Sequence, residues 1–434
     1  MKSKKWPIFA HLLFDYFFLP LQLNMIRFVF IFLALVALVF DLVLFRLCLR
    51  KVLRRKRWAY VFWAYAIFTD IILFMVILWG YHWPFYTPDS VSRVPLWLAW
   101  WFLLNTIPKI LYIPFYLLSK LWKCFLPGSG RWLRWIGGML GLCIIIVMCK
   151  GAFYNSRHFQ VKQIEIHSSK IPAAFEGYRM VFFSDVHLGN LVRPKTFLSR
   201  FVDEVNALKP DLLLQGGDLV NMYASELQEP YMHILSRLRA KDGVFAVLGN
   251  HDMGPYFSKR IQELGLSPEE NTRQLCEKMK AMDWKILENT SLQLQRDSVH
   301  IGLCGLPYPP LPPRFPDSLT HFDPILATAD LDSSQFNLML CHTPIVWSHP
   351  SWREHPAFRK ADLMLSGHTH AMQLKLKIGR WQWSPVQWMY PQWSGLYQRD
   401  ERYLYVNEGL GYVVYPMRIG SRPEITLITL HHSP

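Results

Sequence analysis

Carboxylates, imidazoles and one amide recur at five points of this 434-residue chain: Asp185 with His187, Asp218, Asn250 with His251 and Asp252, His342, and His368 with His370. No cysteine stands among them. Oxygen and nitrogen donors of this kind suit borderline divalent ions such as Mn, Fe or Zn. Seven of these nine in one shell would exceed what one tetrahedral zinc takes, but would suit two neighbouring ions that share a bridging carboxylate. Taken singly, each segment has an ordinary reading: a loop hydrogen-bond pair, a turn asparagine, or a helix cap at Asp218 after two glycines. Turn chemistry gives no reason to repeat the same donor set five times.

Each donor segment ends a short apolar run, at residues 180–183, 212–214, 244–248, 338–340 and 363–365. Such runs read as buried strands, and strand ends opening into Gly-, Asp- or His-bearing loops are where α/β sheets place their chemistry. Residues 195–208 and 270–282 carry helix-like apolar spacing. Residues 403–406 and 425–430 read as strands of a second sheet, and 307–316 as a proline-rich loop. The expected class is α/β, a two-sheet sandwich flanked by helices.

The order DxH, GD, GNHD, H, GHTH from Tyr178 onward resembles the calcineurin-like metallophosphoesterase superfamily. Residues 184–189, 362–370 and 422–427 carry a closer likeness to its membrane-associated branch. The resemblance implies that Asp185, His187 and His370 hold one metal and that Asn250, His342 and His368 hold a second. Asp218 would bridge them, since a carboxylate has two oxygens to share. His251, backed by Asp252, would be no ligand but would donate a proton or hydrogen bond to the leaving oxygen. Two divalent ions, Mn first and Fe or Zn next, are the expected cofactors. They would neutralise the phosphoryl oxygens and supply hydroxide near neutral pH. No GxSxG elbow suggests a covalent route. One departure stands out: where the family often has two glycines after its last His-x-His, this chain has Ala371 and Met372, which narrows backbone freedom beside the metals. A second is Asn221, where many relatives are acidic.

The chain before residue 157 has another character. It carries 18 basic and 4 acidic residues, net +14, against 29 and 28 in the remainder, so the overall +15 lies almost wholly in the first third. A nucleic-acid partner is not expected, because the catalytic part is nearly neutral. Residues 28–49, 58–81, 94–118 and 132–148 are apolar runs about as long as the roughly 17–25 residues that a membrane helix needs. Residues 7–23 are a fifth candidate, interrupted by Asp15 and Pro20. The expected organisation is a transmembrane helical domain over 1–156 and a catalytic domain over 157–434, with the lipid bilayer as a partner. Basic connections at 50–57 and 120–134 place those loops in the cytoplasm and the catalytic domain outside, with five spans the tidier count. Asp41, Asp70 and Lys109 lie inside apolar runs, where charges pair or line a cavity.

The seven cysteines form no disulfide or zinc pattern, and Cys304 and Cys341 are expected in the core. Trp381, Trp383, Trp388, Tyr390 and Trp393 follow the last donors; they read either as a loop at a headgroup boundary or as rings packed on the sandwich. The expected function is a membrane-anchored, metal-dependent hydrolase of phosphodiester or pyrophosphate bonds, with a phosphorylated, lipid-linked substrate such as a phospholipid or UDP-2,3-diacylglucosamine. The competing class is a membrane transporter or scaffold with a regulatory domain of this type.

Overall fold

The computed structural model describes residues 65, 68–69, 93–254, 261–262, 265–310, 321–350 and 352–433. They form two compact units, one drawn from residues up to 152 and one from 153–413 with 418–433. The expected spans 7–23 and 28–49 and the charges Asp41 and Asp70 lie outside the described residues, as does most of 58–81.

In the first unit, helix α1 (Arg93–Phe125) is followed by α2 (Arg131–Phe153). Residues Ala99–Phe125 and Arg131–Arg157 are long and apolar enough to cross a membrane, by length and composition. Gly137 of α2 lies against Phe115 of α1, where an added Cβ would come within 2.8 Å of the ring's own Cβ; small residues allow such close helix packing. The Lys109 ammonium sits 5.7 Å from the ring centre of Tyr65, a cation–π partner for that buried-run charge.

The second unit is built from strands β1 (Gln160–Ser168), β2 (Tyr178–Phe183), β3 (Leu212–Gln215), β4 (Val244–Ala246) and β5 (Trp284–Ile286). β6 (Thr290–Arg296), β7 (Val299–Leu306), β8 (Asn337–Cys341) and β9 (Leu363–Ser366) follow. The chain then forms β10 (Leu376–Ile378), β11 (Trp381–Trp383), β12 (Gly395–Arg399), β13 (Arg402–Val406) and β14 (Glu424–His432). One six-stranded sheet runs β1-β14-β2-β3-β4-β5 and the other β12-β13-β9-β8-β7-β6, while β10 and β11 pair as a separate ribbon.

Between the two sheets lies one apolar core. Phe182, Leu214, Phe245 and Ile428 from the first sheet meet Leu303, Leu338, Leu340, Leu365 and Tyr405 from the second. The alternate residues Met339, Cys341 and Met364 face outward and are covered in turn by Val346, Trp347 and Phe358. Both faces of the central strands are therefore buried, and this is why they read as unbroken apolar runs. Free Cys304 and Cys341 are core residues, with burial pushing both thiols well up, Cys341 to about 12. Helix α3 (Pro194–Ala207) packs Phe201 against Phe183 of β2 at 4.9 Å between ring centres.

One expectation needs correction. β13 does join the second sheet, parallel to β9, but β14 inserts in the first sheet between β1 and β2. Its alternation is hidden because five consecutive residues at its start are buried. Residues 160–168 form the edge strand β1, parallel to β14.

Candidate metal centre

β2, β3 and β4 are parallel, and so are β7, β8 and β9. Their carboxyl ends open on one edge of the sandwich, and the donors occupy the loops that leave them. Asp185, His187, Asp218, His368 and His370 all have left-handed backbone, with φ between 46° and 71°. This turns the chain sharply after each strand so that side chains two apart converge. Asp and His are among the non-glycine residues that tolerate this region best. Space is tight: a Cβ on Gly249 would lie 2.1 Å from the Asp218 carboxylate, so only glycine allows this approach.

Asp185 Oδ1 lies 3.2 Å from His370 Nε2, and the Nε2 atoms of His370 and His187 are 3.0 Å apart. Asp218 Oδ2 faces His187 Nε2 at 3.6 Å on one side and His342 Nε2 at 3.2 Å on the other. His342 Nε2 is in turn 3.2 Å from His368 Nδ1. Asp218 thus stands between two donor groups, one with His187 and His251 and one with His342 and His368, while Asp185, His187 and His370 form a third that shares His187. The other oxygen of Asp218 accepts the His251 backbone N–H at 2.8 Å. Asn250 is buried, and its amide oxygen has no hydrogen-bond partner. The structure brings together six of the seven residues singled out as metal donors, and it places the seventh, Asn250, one position before His251, whose backbone N–H reaches Asp218.

The surroundings orient these groups. The His342 Nδ1–H donates to the Gly216 carbonyl at 2.7 Å, leaving Nε2 to face the cleft. The backbone N–H of His368 donates to both Asp185 oxygens at 3.1 and 3.0 Å, and the Ser184 hydroxyl donates to Oδ2. Two features escaped the sequence reading. The Tyr390 hydroxyl meets His368 Nε2 at 2.8 Å, and the Asn221 carbonyl accepts from His251 Nδ1 at 2.7 Å. The expected support of His251 by Asp252 is therefore made differently. Asp252 instead accepts the N–H groups of Val220 and Gly249, holding together the loops that carry Asp218 and Asn250. Glu226 does similar work, accepting N–H bonds from Gly189, Asn221, Met222 and Tyr223. Burial pushes its carboxyl up to about 7 against those four donors.

The electrostatics fit cations. Burial and the neighbouring histidines hold His187 well below its ordinary pKa, and burial with His342 brings His368 down to about 3, so both rings offer lone pairs. Burial alone would lower His342 too, but the Asp218 carboxylate outweighs it and holds the ring up to about 9. Burial would raise Asp218, yet His342 and His251 keep it well below the carboxylate range. Asp185 and Asp218 are almost fully buried, and their ion pairs among the described residues are to histidines alone. Two buried carboxylates, the neutral imidazoles of His187 and His368 and an unpartnered amide oxygen form a donor set that suits divalent ions.

The family described as Calcineurin-like phosphoesterase matches residues 178–372. The chain carries a calcineurin-like metallophosphoesterase domain and is a metal-dependent phosphoester hydrolase. It is 28% identical to the uncharacterized metallophosphoesterase YkuE of Bacillus subtilis, over 68% of this chain and 96% of that protein. It is 31% identical to the transmembrane protein with metallophosphoesterase domain of Danio rerio, over 67% of this chain but only 62% of that protein. UDP-2,3-diacylglucosamine pyrophosphatase LpxG of Chlamydia trachomatis is 28% identical, over 60% of this chain and 86% of its own length.

Proposed function

We propose that this chain is a membrane-anchored dinuclear phosphoesterase cleaving a phosphodiester or pyrophosphate bond of a lipid-linked substrate. The observation that carries the reading is the pair of donor clusters meeting on one oxygen of buried Asp218. In this reading Asp185, His187 and His370 hold one ion, Asn250, His342 and His368 the other, and Asp218 spans both. Bound there, two divalent ions supply Lewis-acid polarisation of the ester and a nucleophile at neutral pH.

The chain's own residues do the rest. His251, with Nδ1 held by the Asn221 carbonyl, presents Nε2 beside the donor clusters and donates a hydrogen bond or proton to the departing oxygen. Asp218 fixes that residue through its backbone N–H, so one carboxylate places both the shared ion position and the acid. Tyr390 and the Gly216 carbonyl keep the rings of His368 and His342 turned inward.

The two apolar helices and the transmembrane relative support a membrane anchor over residues 1–156 and a catalytic domain over 157–434. The likeness to LpxG supports a lipid-linked substrate, whereas the basic loops support an outward-facing domain. The two are compatible for an exported phospholipid and not for a nucleotide-linked precursor confined to the cytoplasmic leaflet. Protease added to sealed vesicles of known orientation decides between them: cleavage after residue 157 from outside favours the phospholipid, and protection favours the precursor.

Enzyme stripped with chelator and resupplied with Mn should regain cleavage of a generic aryl phosphodiester, and Asp218→Asn should not. Activity that persists in chelator, or that no divalent ion restores, would refute the proposal. A cellular phenotype that survives Asp218→Asn but disappears with Lys109→Ala would favour the transporter or scaffold.

A further inference from the structure

The ribbon of β10 and β11 stands apart from both sheets. Its register pairs Leu376 with Trp383, Lys377 with Gln382 and Ile378 with Trp381. Cross-strand partners share a face, and residues two apart lie on the same side. One face is therefore Leu376, Ile378, Trp381 and Trp383, and the other is Lys377 and Gln382. The apolar face is bare: Ile378 is 75% exposed, Trp381 54% and Leu376 44%. It continues through Trp383 onto Trp388, 5.8 Å away edge to face and 62% exposed. An isolated two-stranded ribbon is marginal in water, and contiguous apolar surface of this kind marks a binding site.

We infer that this ribbon docks on the surface of an anionic bilayer, with Ile378, Trp381 and Trp388 seated among the headgroups. Three observations select a membrane as the occupant. Tryptophan with aliphatic neighbours on one face is the composition of membrane–water interfaces. Arg380, in the turn that joins the two strands, borders the apolar face, exposed and without an ion pair among the described residues, so it complements anionic headgroups. The same chain also carries helices of membrane-crossing length that end at residue 157, just before β1, which keeps a bilayer within its reach.

The segment that follows the ribbon, from Ser384 to Trp393, is joined to the donor loop. The Thr369 hydroxyl donates to the Trp393 carbonyl at 2.7 Å, and the Ser384 hydroxyl donates to the Ala371 carbonyl at 2.8 Å. Docking the ribbon thus sets the bilayer surface beside the loop that carries His368 and His370. The inference does not depend on which phosphoester is cleaved.

The test places a nitroxide on the full chain, freed of native cysteines, at Ile378→Cys or at Gln382→Cys, in vesicles of phosphatidylglycerol or phosphatidylcholine. The label at 378 should collide more with oxygen than with an aqueous nickel chelate, more strongly so in phosphatidylglycerol, while the label at 382 reads as aqueous. A label at 378 open to the chelate in both lipids would overturn the inference. So would a label shielded from both reagents, which would show that protein, from this chain or a second copy, covers the face. If the cysteine-free chain does not fold, the native chain serves. Brominated phosphatidylglycerol should quench part of its tryptophan emission, and Trp381→Phe should reduce that quenched part. No difference between the two proteins would equally overturn it.

Discussion

Asp218 divides its two oxygens between two tasks, one facing both donor clusters and one holding the His251 backbone. Because the His251 ring is anchored by a carbonyl and not by a metal donor, its removal should separate chemistry from metal binding. His251→Ala is expected to lower kcat by about 10²–10⁴-fold, most for poor leaving groups, with metal content unchanged. Turnover of aryl phosphodiesters of graded leaving-group pKa, together with metal analysis, checks this; loss of metal would reassign the residue. The carboxylates and imidazoles that the structure gathers around Asp218 were legible in the sequence because their types are specialised and each follows an apolar run. Asn221 and Tyr390 were not legible in their roles. The first acts through a backbone carbonyl that any residue supplies, and the second reaches His368 from 22 positions away.

Among the elements, the strands that end at the donors could be read from their apolar runs because both faces are buried. The order of the strands could not be, since β14 carries no mark of which sheet it enters. The corner after His370 holds a cost that the sequence only hinted at. Ala371, Met372 and Gln373 take the left-handed backbone that glycine usually supplies, with φ of 48°, 50° and 55°. For a side chain other than Gly, Asn or Asp this costs on the order of 1–2 kcal/mol per residue. Ala371 is fully buried against Val386 and Trp393, which offsets part of it, whereas Met372 is 41% exposed. Met372→Gly should therefore raise the thermal midpoint, and Met372→Val should lower it.

At the scale of the molecule, the uneven charge of the chain separates an apolar, basic first third from a nearly neutral catalytic unit, and this was plain from composition. A buried ionic cluster behind the metal centre was not. Lys162 bridges Glu408 at 2.9 Å and Glu424 at 2.5 Å, and Lys375 meets Glu408 at 2.7 Å. It ties β1, β14 and the loop after β13 to the segment leading into the ribbon. Burial would raise the Glu408 pKa, but Lys162 and Lys375 hold it down to about 2 from 4.5. A carboxylate depressed on folding stabilises the native state above its unfolded value and loses that contribution as pH falls through the folded one. Stability should thus decline between pH 4.5 and about 2. Denaturant midpoints of the chelated protein across this range should show a shallower decline in Glu408→Gln, which starts from a lower plateau because two lysines lose their partner.

The left-handed turns at five of the seven donors have a consequence for how long the protein survives in a cell. They gather two carboxylates and several imidazoles in a shape the chain holds at a cost, and bound ions offset that cost by mass action. A ligand that binds only the folded state adds about 2.7 kcal/mol when present at a hundred times its Kd. The melting temperature should therefore climb with the logarithm of free divalent metal, and chelated protein should be cut by protease under conditions where loaded protein is spared. Calorimetry across a metal titration, with Asp218→Asn as the unresponsive control, would measure it. In metal-poor surroundings the amount of this enzyme, and not only its rate, would then follow the supply of its ions.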